Sequence, residues 1–407
     1  MAYQLFEPVR IGPKVLRNRT IRAAAFEGMA PSHVPSSQLL AYHRAVSQGG
    51  VGMSTVAYAA VEQSGLAFPH QLLLQKEFCK ELTELTDGIH EGGALASVQL
   101  GHCGNMANVQ VAGTRPLSPS GKYNLYGTSW PRAMDTIDIQ RVVRSFGEAV
   151  RVAQDSGFDA IEVHAGHGYL ISQFLSPRTN HRQDEYGGSL SKRMRFLREV
   201  ISEVCAAAKN RLAILVKMNL SDGVEGGQDL ADAVEIAKCL EQEGAHALVL
   251  SGGFVSASPM YVMRGEMPID VMSALIPSRF LRTFLRLFGR FLIPSVPYQD
   301  NYFLQDAKVV RSNVKLPLVY VGGAASRQSI EEVLAAGFEA VAMARALIAD
   351  PAFVRKLAQE GEAVSVCDHC NYCAARIYTT EMACHKRQTP EPVFQKILQN
   401  RGLFRAD

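Results

Sequence analysis

Eight short runs of β-branched and aliphatic residues recur along this chain, separated for most of its length by segments with helical periodicity, and few folds accommodate that alternation. The runs are Thr20–Ala24, Val51–Ala57, Ala94–Gln99, Ala160–His164, Ala213–Met218, Ala247–Ser251, Leu316–Val321 and Ala340–Ala344. Amphipathic segments such as Ile139–Asp155, Ser191–Ala208, Leu230–Glu243 and Ser326–Ala336 lie between many of them. Strands that alternate with helices imply parallel pairing, because each parallel pair needs a long crossover. An open doubly wound sheet gives a similar alternation. The polar residues favour closure. Gln99, His164, Lys217 and Gly322 fall at the C-terminal ends of their strands, the rim where barrel enzymes build their sites. The expected fold class is α/β, a TIM (β/α)8 barrel.

Two stretches break the rhythm. The connection between the sixth and seventh runs extends from Gly252 to Lys315, far longer than an ordinary crossover. After the eighth run come a cysteine-crowded stretch and a polar tail ending at Asp407. The expected organisation is a barrel over residues 1–360, with an insertion between strands 6 and 7 at about 254–312, then a Cys-rich C-terminal extension over 361–407. No internal repeat suggests a solenoid. A composition of 47% hydrophobic and 20% charged residues supports a large buried core. The net charge of +3 gives no reason to expect nucleic acid. The opening MAYQLFEPVRIG lacks a basic segment followed by an apolar one, so no secretory leader is expected. No apolar run approaches the roughly 18 residues of a spanning helix, and the expected location is cytoplasmic.

The eight cysteines divide into two groups. Cys79, Cys103, Cys205 and Cys239 are scattered through periodic segments and read as small buried hydrophobes. Cys367, Cys370, Cys373 and Cys384 crowd together in the pattern C-x2-C-x2-C-x10-C. In a cytosolic protein such crowding reads as a metal or cluster site before it reads as disulfides. Thiolates at this density suit a [4Fe–4S] cluster. Zinc, with His369 and His385 nearby, is a competing reading, and an empty surviving motif is a third.

The stretch Gly157 to Phe196 carries the most specific chemistry. A strand runs into His164, and His167 and Tyr169 follow within a turn. Two imidazoles and a phenol at a strand end can donate hydrogen bonds to a carbonyl or nitro oxygen. That withdraws electrons from a conjugated C=C and makes its β-carbon a hydride acceptor, with the growing negative charge stabilised most in the transition state. Either histidine alone reads as structural, whereas the three together read as catalytic. Tyr169, protonated at neutral pH, suits a general acid.

At these residues the chain resembles the old yellow enzyme family of FMN barrels, in the branch shared with the barrel domains of 2,4-dienoyl-CoA reductase and trimethylamine dehydrogenase. HAGHGYL matches that family's H-x-x-H-G-Y, NHRQDEYGGS (Asn180 to Ser189) its N-x-R-x-D-x-Y-G-G-S, and QLGH (Gln99 to His102) its Q-L-x-H. The opening LFEPVRIGPKVLRNR and the later GGAASRQSIEEVLAAGFEAVAMARALIADP resemble the family's two ends, and the likeness covers about Leu5 to Cys384. The resemblance implies FMN as cofactor and NADH or NADPH as hydride donor. It places Ala24, Ala25, Phe26 and Ala59 beside the isoalloxazine, Gln99 at its pyrimidine edge, and Lys217, where the family usually has Arg, near N1 and the C2 carbonyl. Gly322, Gly323, Ala344 and Arg345 are implied at the phosphate. Phe26 stands where the family has Thr or Cys and Ala344 where it has Gly. Multidomain relatives carry a similar cysteine set and a nucleotide-binding domain, and no GxGxxG domain is read in this sequence.

In SRFLRTFLRLFGRFL, Arg279, Arg282, Arg286 and Arg290 share one helical face and seven Phe and Leu residues the other. This basic amphipathic pattern suits peripheral contact with an anionic membrane through residues 278–292. The alternatives are packing on the barrel or on another subunit of a homo-oligomer, or capping the active site over a large hydrophobic substrate. The expected activity is NAD(P)H-driven reduction of an activated alkene, such as a bulky hydrophobic enone or an enoyl thioester. Two other readings are an electron-transfer subunit, relaying electrons through a cluster to a separate flavoprotein, and an amine demethylase. The second is disfavoured because Trp130, the sole tryptophan, cannot build an aromatic cage alone.

Overall fold

The computed structural model describes residues 4–124, 129–274, 276, 278–376, 381–388 and 392–400. Positions 275 and 277 of the expected insertion, and 377–380, 389–391 and 401–407 of the expected extension, lie outside the described residues.

The eight expected runs are eight strands: β1 (Thr20–Arg22), β2 (Met53–Ala60), β3 (Leu95–Gly101), β4 (Ala160–Ala165), β5 (Ala213–Asn219), β6 (Ala247–Ser251), β7 (Leu318–Tyr320) and β8 (Ala340–Met343). They pair in chain order, all parallel, and β8 closes on β1 with Val341 opposite Thr20. Helices α1 (Ser37–Gln48), α2 (Cys79–Glu91), α3 (Thr136–Asp155), α4 (Arg195–Ala208) and α5 (Leu230–Gln242) cover the first strands from outside. The longest, α3, opens with a capping box in which the Asp135 carboxylate accepts the Asp138 N–H and the Asp138 carboxylate accepts the Asp135 N–H.

Alternation along each strand sorts side chains into two layers. Outward residues such as Ile161, Val163, Val216 and Leu248 join the helices in the larger core. Inward residues Ile21, Met53, Ala160, Ala213, Leu215, Val249, Val319 and Ala342 fill the lower barrel. Ile11 and Leu16, from an antiparallel hairpin of Val9–Ile11 and Lys14–Leu16, join that cluster and close its N-terminal end. Each buried Ile, Leu, Val or Met among them contributes about 1.5–3 kcal/mol. The upper layer is polar: Gln99, Glu162 and Lys217 are all buried. One irregularity shapes the mouth. Val56 pairs with Val98 but Ala59 with Leu100, so β2 carries one extra residue as a bulge, which re-aims the side chains beside it.

After β6 the chain forms α6 (Ile269–Ala274) and α7 (Arg279–Leu292) before returning to the barrel through α8 (Leu304–Arg311). Leu304, Ala307 and Val310 of α8 are buried in the outer core, so α8 is the crossover helix to β7. The irregular connection therefore ends near residue 303 rather than 312. The three buried apolar positions of α8 sit among polar and charged neighbours, which hides a helix of eight residues. Helices α9 (Arg327–Ala335), α10 (Arg345–Ala349) and α11 (Tyr372–Arg376) follow. Among the described residues no helix is long and apolar enough to cross a membrane.

Candidate active site and cysteine centre

The polar layer at the top of the barrel follows from strand register. Gln99 stands opposite Glu162 and His164 opposite Lys217. Gln99 Nε2 donates to Glu162 Oε1 at 2.6 Å, and Lys217 Nζ lies 2.8 Å from the same oxygen. A buried ammonium needs such a partner, since an uncompensated charge here would cost several kcal/mol.

Above this layer β4 ends in the turn that carries the two histidines. His167 has φ +59° and Gly168 φ +79°, a tight left-handed pair that brings both imidazoles to one side, with ring centroids 5.0 Å apart. The His167 backbone N–H donates to Asn219 Oδ1 at 2.9 Å, and its ring Nε2 lies 2.7 Å from Ser251 Oγ. The Gly166 N–H donates to His164 Nδ1 at 3.4 Å, which leaves the neutral ring's proton on Nε2. Burial, then His167, then the Lys217 ammonium push His164 well below the ordinary imidazole range. Burial and Lys217 lower His167 to about 3. Both rings are therefore neutral at pH 7 and act as N–H donors without carrying charge.

Tyr169 packs edge-on to His164 at 4.6 Å and lies 5.0 Å from the Tyr58 ring. Phe26 joins the same cluster and stacks on Phe68 at 4.7 Å. The loop bearing Ala24, Ala25 and Phe26 is pinned by Arg22. Its guanidinium donates to Ala25 O at 2.9 Å and pairs with Glu27 at 2.6 Å, while Glu27 accepts the Ala57 N–H at 3.1 Å. Ala59 is fully buried in the outer core, so any part it takes at the mouth is through its backbone. Trp130 is exposed and paired with Tyr123, away from this cluster. The aromatic surface of the mouth comes instead from Phe and Tyr.

At the ends of β7 and β8 sit the residues implied at a phosphate. Gly322 and Gly323 have φ +154° and +88°. A Cβ on Gly323 would meet the backbone of Gln299 and Asn301 at 3.0 Å, so the end of the insertion itself requires glycine there. Ala344 precedes α10, and Arg345 at its start donates to Asn371 Oδ1 at 2.8 Å.

Arg345 also reaches the cysteine group. Cys367, Cys370, Cys373 and Cys384 line one small pocket of about 10 Å³ together with Arg345, Asp368 and His385. Burial raises all four thiol pKa values, that of Cys373 to about 12. Cysteines gathered this way are poor thiolates until a cation compensates them. Among the described residues, Asp368, Cys370 and His385 hold their donor atoms within 4.8 Å of one another, a spacing that suits a single ion. His369 instead stacks on Tyr298 with centroids 3.5 Å apart.

The structure thus brings the expected residues into three groups: Gln99, His164, His167, Tyr169 and Lys217 at the mouth; Gly322, Gly323, Ala344 and Arg345 at the β7 and β8 ends; and the four cysteines. The buried Lys217 ammonium and the buried Gln99 amide make a donor set suited to an anionic ring system, while the Arg345 guanidinium is turned to Asn371 and the cysteine pocket. Sequence reasoning missed Glu162 and Tyr58. Glu162 was signalled by a lone carboxylate in the apolar run AIEVHA, two residues before His164 and so on the same strand face.

Over residues 4–259 the chain matches the NADH:flavin oxidoreductase / NADH oxidase family. It is 40% identical over 376 residues to the 4,4'-dithiodibutanoate disulfide reductase of Rhodococcus erythropolis, covering 92% of this chain and 93% of that protein. It is 31% identical over 374 residues to an NADH oxidase of Thermoanaerobacter brockii, covering 90% of this chain but only 52% of that protein. Among solved structures, an old yellow enzyme homologue from Zymomonas mobilis superposes with a TM-score of 0.71 at 24% identity, over 90% of this chain and 96% of that one; that likeness shows the fold. The chain belongs to the NADH:flavin oxidoreductase / NADH oxidase family and is an FMN-dependent NAD(P)H oxidoreductase.

Proposed function

We propose that this oxidoreductase reduces an activated C=C bond conjugated to a carbonyl, in a small hydrophobic enone or an enoyl thioester. The observation that carries the reading is the pair of neutral imidazoles, His164 and His167, facing one another at 5.0 Å beside the Tyr169 ring. FMN, when bound, carries two electrons as hydride from NAD(P)H to the acceptor. Gln99 and Lys217 would hold its ring, and Gly322, Gly323, Ala344 and Arg345 its phosphate. His164 and His167 hold the acceptor oxygen and stabilise the negative charge that develops on it. The hydride adds to the β-carbon and Tyr169 delivers a proton to the α-carbon, so one C=C becomes CH–CH while NAD(P)H becomes NAD(P)+. Hydrogen-bond donors fit an oxygen that gains charge better than they fit a cationic amine. Anaerobic mixing of the NADH-reduced enzyme with 2-cyclohexenone tests this: reoxidation of the flavin with formation of cyclohexanone supports it, and a flavin left reduced overturns it.

A second reading is disulfide reduction, favoured by the 40% identity to a disulfide reductase across nearly its whole length. In that case the acceptor takes two electrons and two protons, and the S–S bond breaks to two thiols.

In the extension, Cys367, Cys370, Cys373 and Cys384 would hold a [4Fe–4S] cluster, supported by their shared cavity. Such a cluster supplies one-electron transfer. Residues 1–360 then form the catalytic unit and 361–407 the part that bears the cluster.

A further inference from the structure

Helix α7 lies on its side against the protein. Its contact line is Arg282, Leu285 and Gly289, of which Gly289 is buried. Gly289 fits so closely on α6 that an added Cβ would meet Ile269 Cγ2 at 2.9 Å. Arg282 and Arg286 fasten this edge, donating to Ile276 O at 2.9 Å and Ser273 Oγ at 3.0 Å. The line opposite the contact is apolar. Phe280, Leu287 and Phe291 are 82%, 72% and 86% exposed, and at i, i+7 and i+11 they form one outward crest. Phe284, Phe288, Leu281 and Leu292 widen it and are themselves exposed. Burying such side chains in water-free surroundings is the strongest driving force available to this element, yet no part of the described chain covers them.

The charge on the helix itself is of one sign. Arg279 and Arg290 lie beside the crest, Arg282 and Arg286 are held at the contact edge, and no acidic residue occurs between Asp270 and Asp300. A second copy meeting this face about a two-fold axis would bring two such arginine-bearing helices together with no carboxylate on either. An anionic lipid surface offers the complementary charge together with an apolar layer for the crest. The helix has 14 residues, about 21 Å at 1.5 Å per residue, which is too short to span and of a length to lie in the interface. We propose that α7 docks the protein peripherally on an anionic bilayer, with Phe280, Leu287 and Phe291 inserted at headgroup depth and Arg279 and Arg290 on lipid phosphates. The proposal is independent of which acceptor the barrel reduces.

The test is co-sedimentation of the FMN-loaded full chain with phosphatidylcholine vesicles, with and without phosphatidylglycerol, beside the variant F280S/F291S. Both substituted side chains are exposed, so NADH-dependent flavin reduction by the variant should match that of the parent. The expected result is binding to phosphatidylglycerol-containing vesicles that falls at least tenfold in pure phosphatidylcholine and at least tenfold in the variant. Failure of the parent to bind anionic vesicles would overturn the proposal, as would undiminished binding by F280S/F291S. Concentration-dependent dimerisation that F280S/F291S abolishes, without vesicle binding, would also overturn it and assign the crest to a second copy.

Discussion

Glu162 and Lys217 meet inside the barrel with their charged atoms 2.8 Å apart and their side chains 3% and 2% exposed. The carboxylate offsets the ammonium and, through Gln99, ties it to the neighbouring strand. Replacing Glu162 by Gln keeps the shape and leaves Lys217 uncompensated. That variant should lose about 3–5 kcal/mol of stability without FMN, and its bound flavin should have a higher reduction potential, because the unopposed cation favours the anionic reduced form. Roughly 30 mV corresponds to 1.4 kcal/mol for a two-electron couple. Dye-equilibration titration measures the change; a potential that falls, or stays within error, contradicts this arrangement.

Neutral histidines at the barrel mouth make stability depend on pH in a definite sense. His167 is lowered to about 3 and His164 lies well below the ordinary range, whereas both titrate near 6.5 in the unfolded chain. Between those limits the unfolded chain binds protons that the folded chain does not, so stability is retained above about pH 6.5 and lost as pH falls toward 3. Thermal unfolding at a series of pH values should show this decline, less steep in His167→Asn. Equal slopes for the two proteins would rule the assignment out.

Tyr169 stands 4.6 Å from His164, ring to ring. Tyr169→Phe should slow enone reduction by about 10²-fold or more, the usual scale of general acid catalysis. Reduction of the flavin by NADH should change little. If both half-reactions slow equally, the ring serves packing rather than proton delivery.

Anaerobically prepared protein should contain about four iron atoms and four acid-labile sulfides per chain if the cysteine cavity holds a cluster. Cys373→Ser should lose them. One zinc per chain, with iron absent, would instead assign the cavity to a single ion in which Asp368, Cys370 and His385 take part.

The barrel was legible because its signal is repetitive: each strand's outward and inward residues reappear eight times, and polar residues accumulate at one end. The turn that gathers His164, His167 and Tyr169 was legible because the three are neighbours in sequence. What stayed hidden depends on three-dimensional register. Tyr58 faces His164 because a bulge turns it inward, and a bulge leaves no periodic trace. The crowding of Gly323 by Gln299 and Asn301 joins segments far apart in the chain. That Cys384 shares a pocket with Cys367, Cys370 and Cys373 is a matter of tertiary packing, which spacing does not specify. The two faces of α7 were plain in its sequence, but that its apolar crest faces outward follows only from the seat of Gly289 on α6.

The most direct test of the central claim is anaerobic stopped-flow oxidation of the NADH-reduced enzyme by 2-cyclohexenone and by 4,4'-dithiodibutanoate, with parent and His164→Ala proteins. The account predicts fast reoxidation by the enone, slowed about 10²–10³-fold in the variant as expected for loss of a charge-stabilising donor, with NADH reduction unaffected. Reoxidation by the disulfide alone, unchanged in His164→Ala, would contradict it.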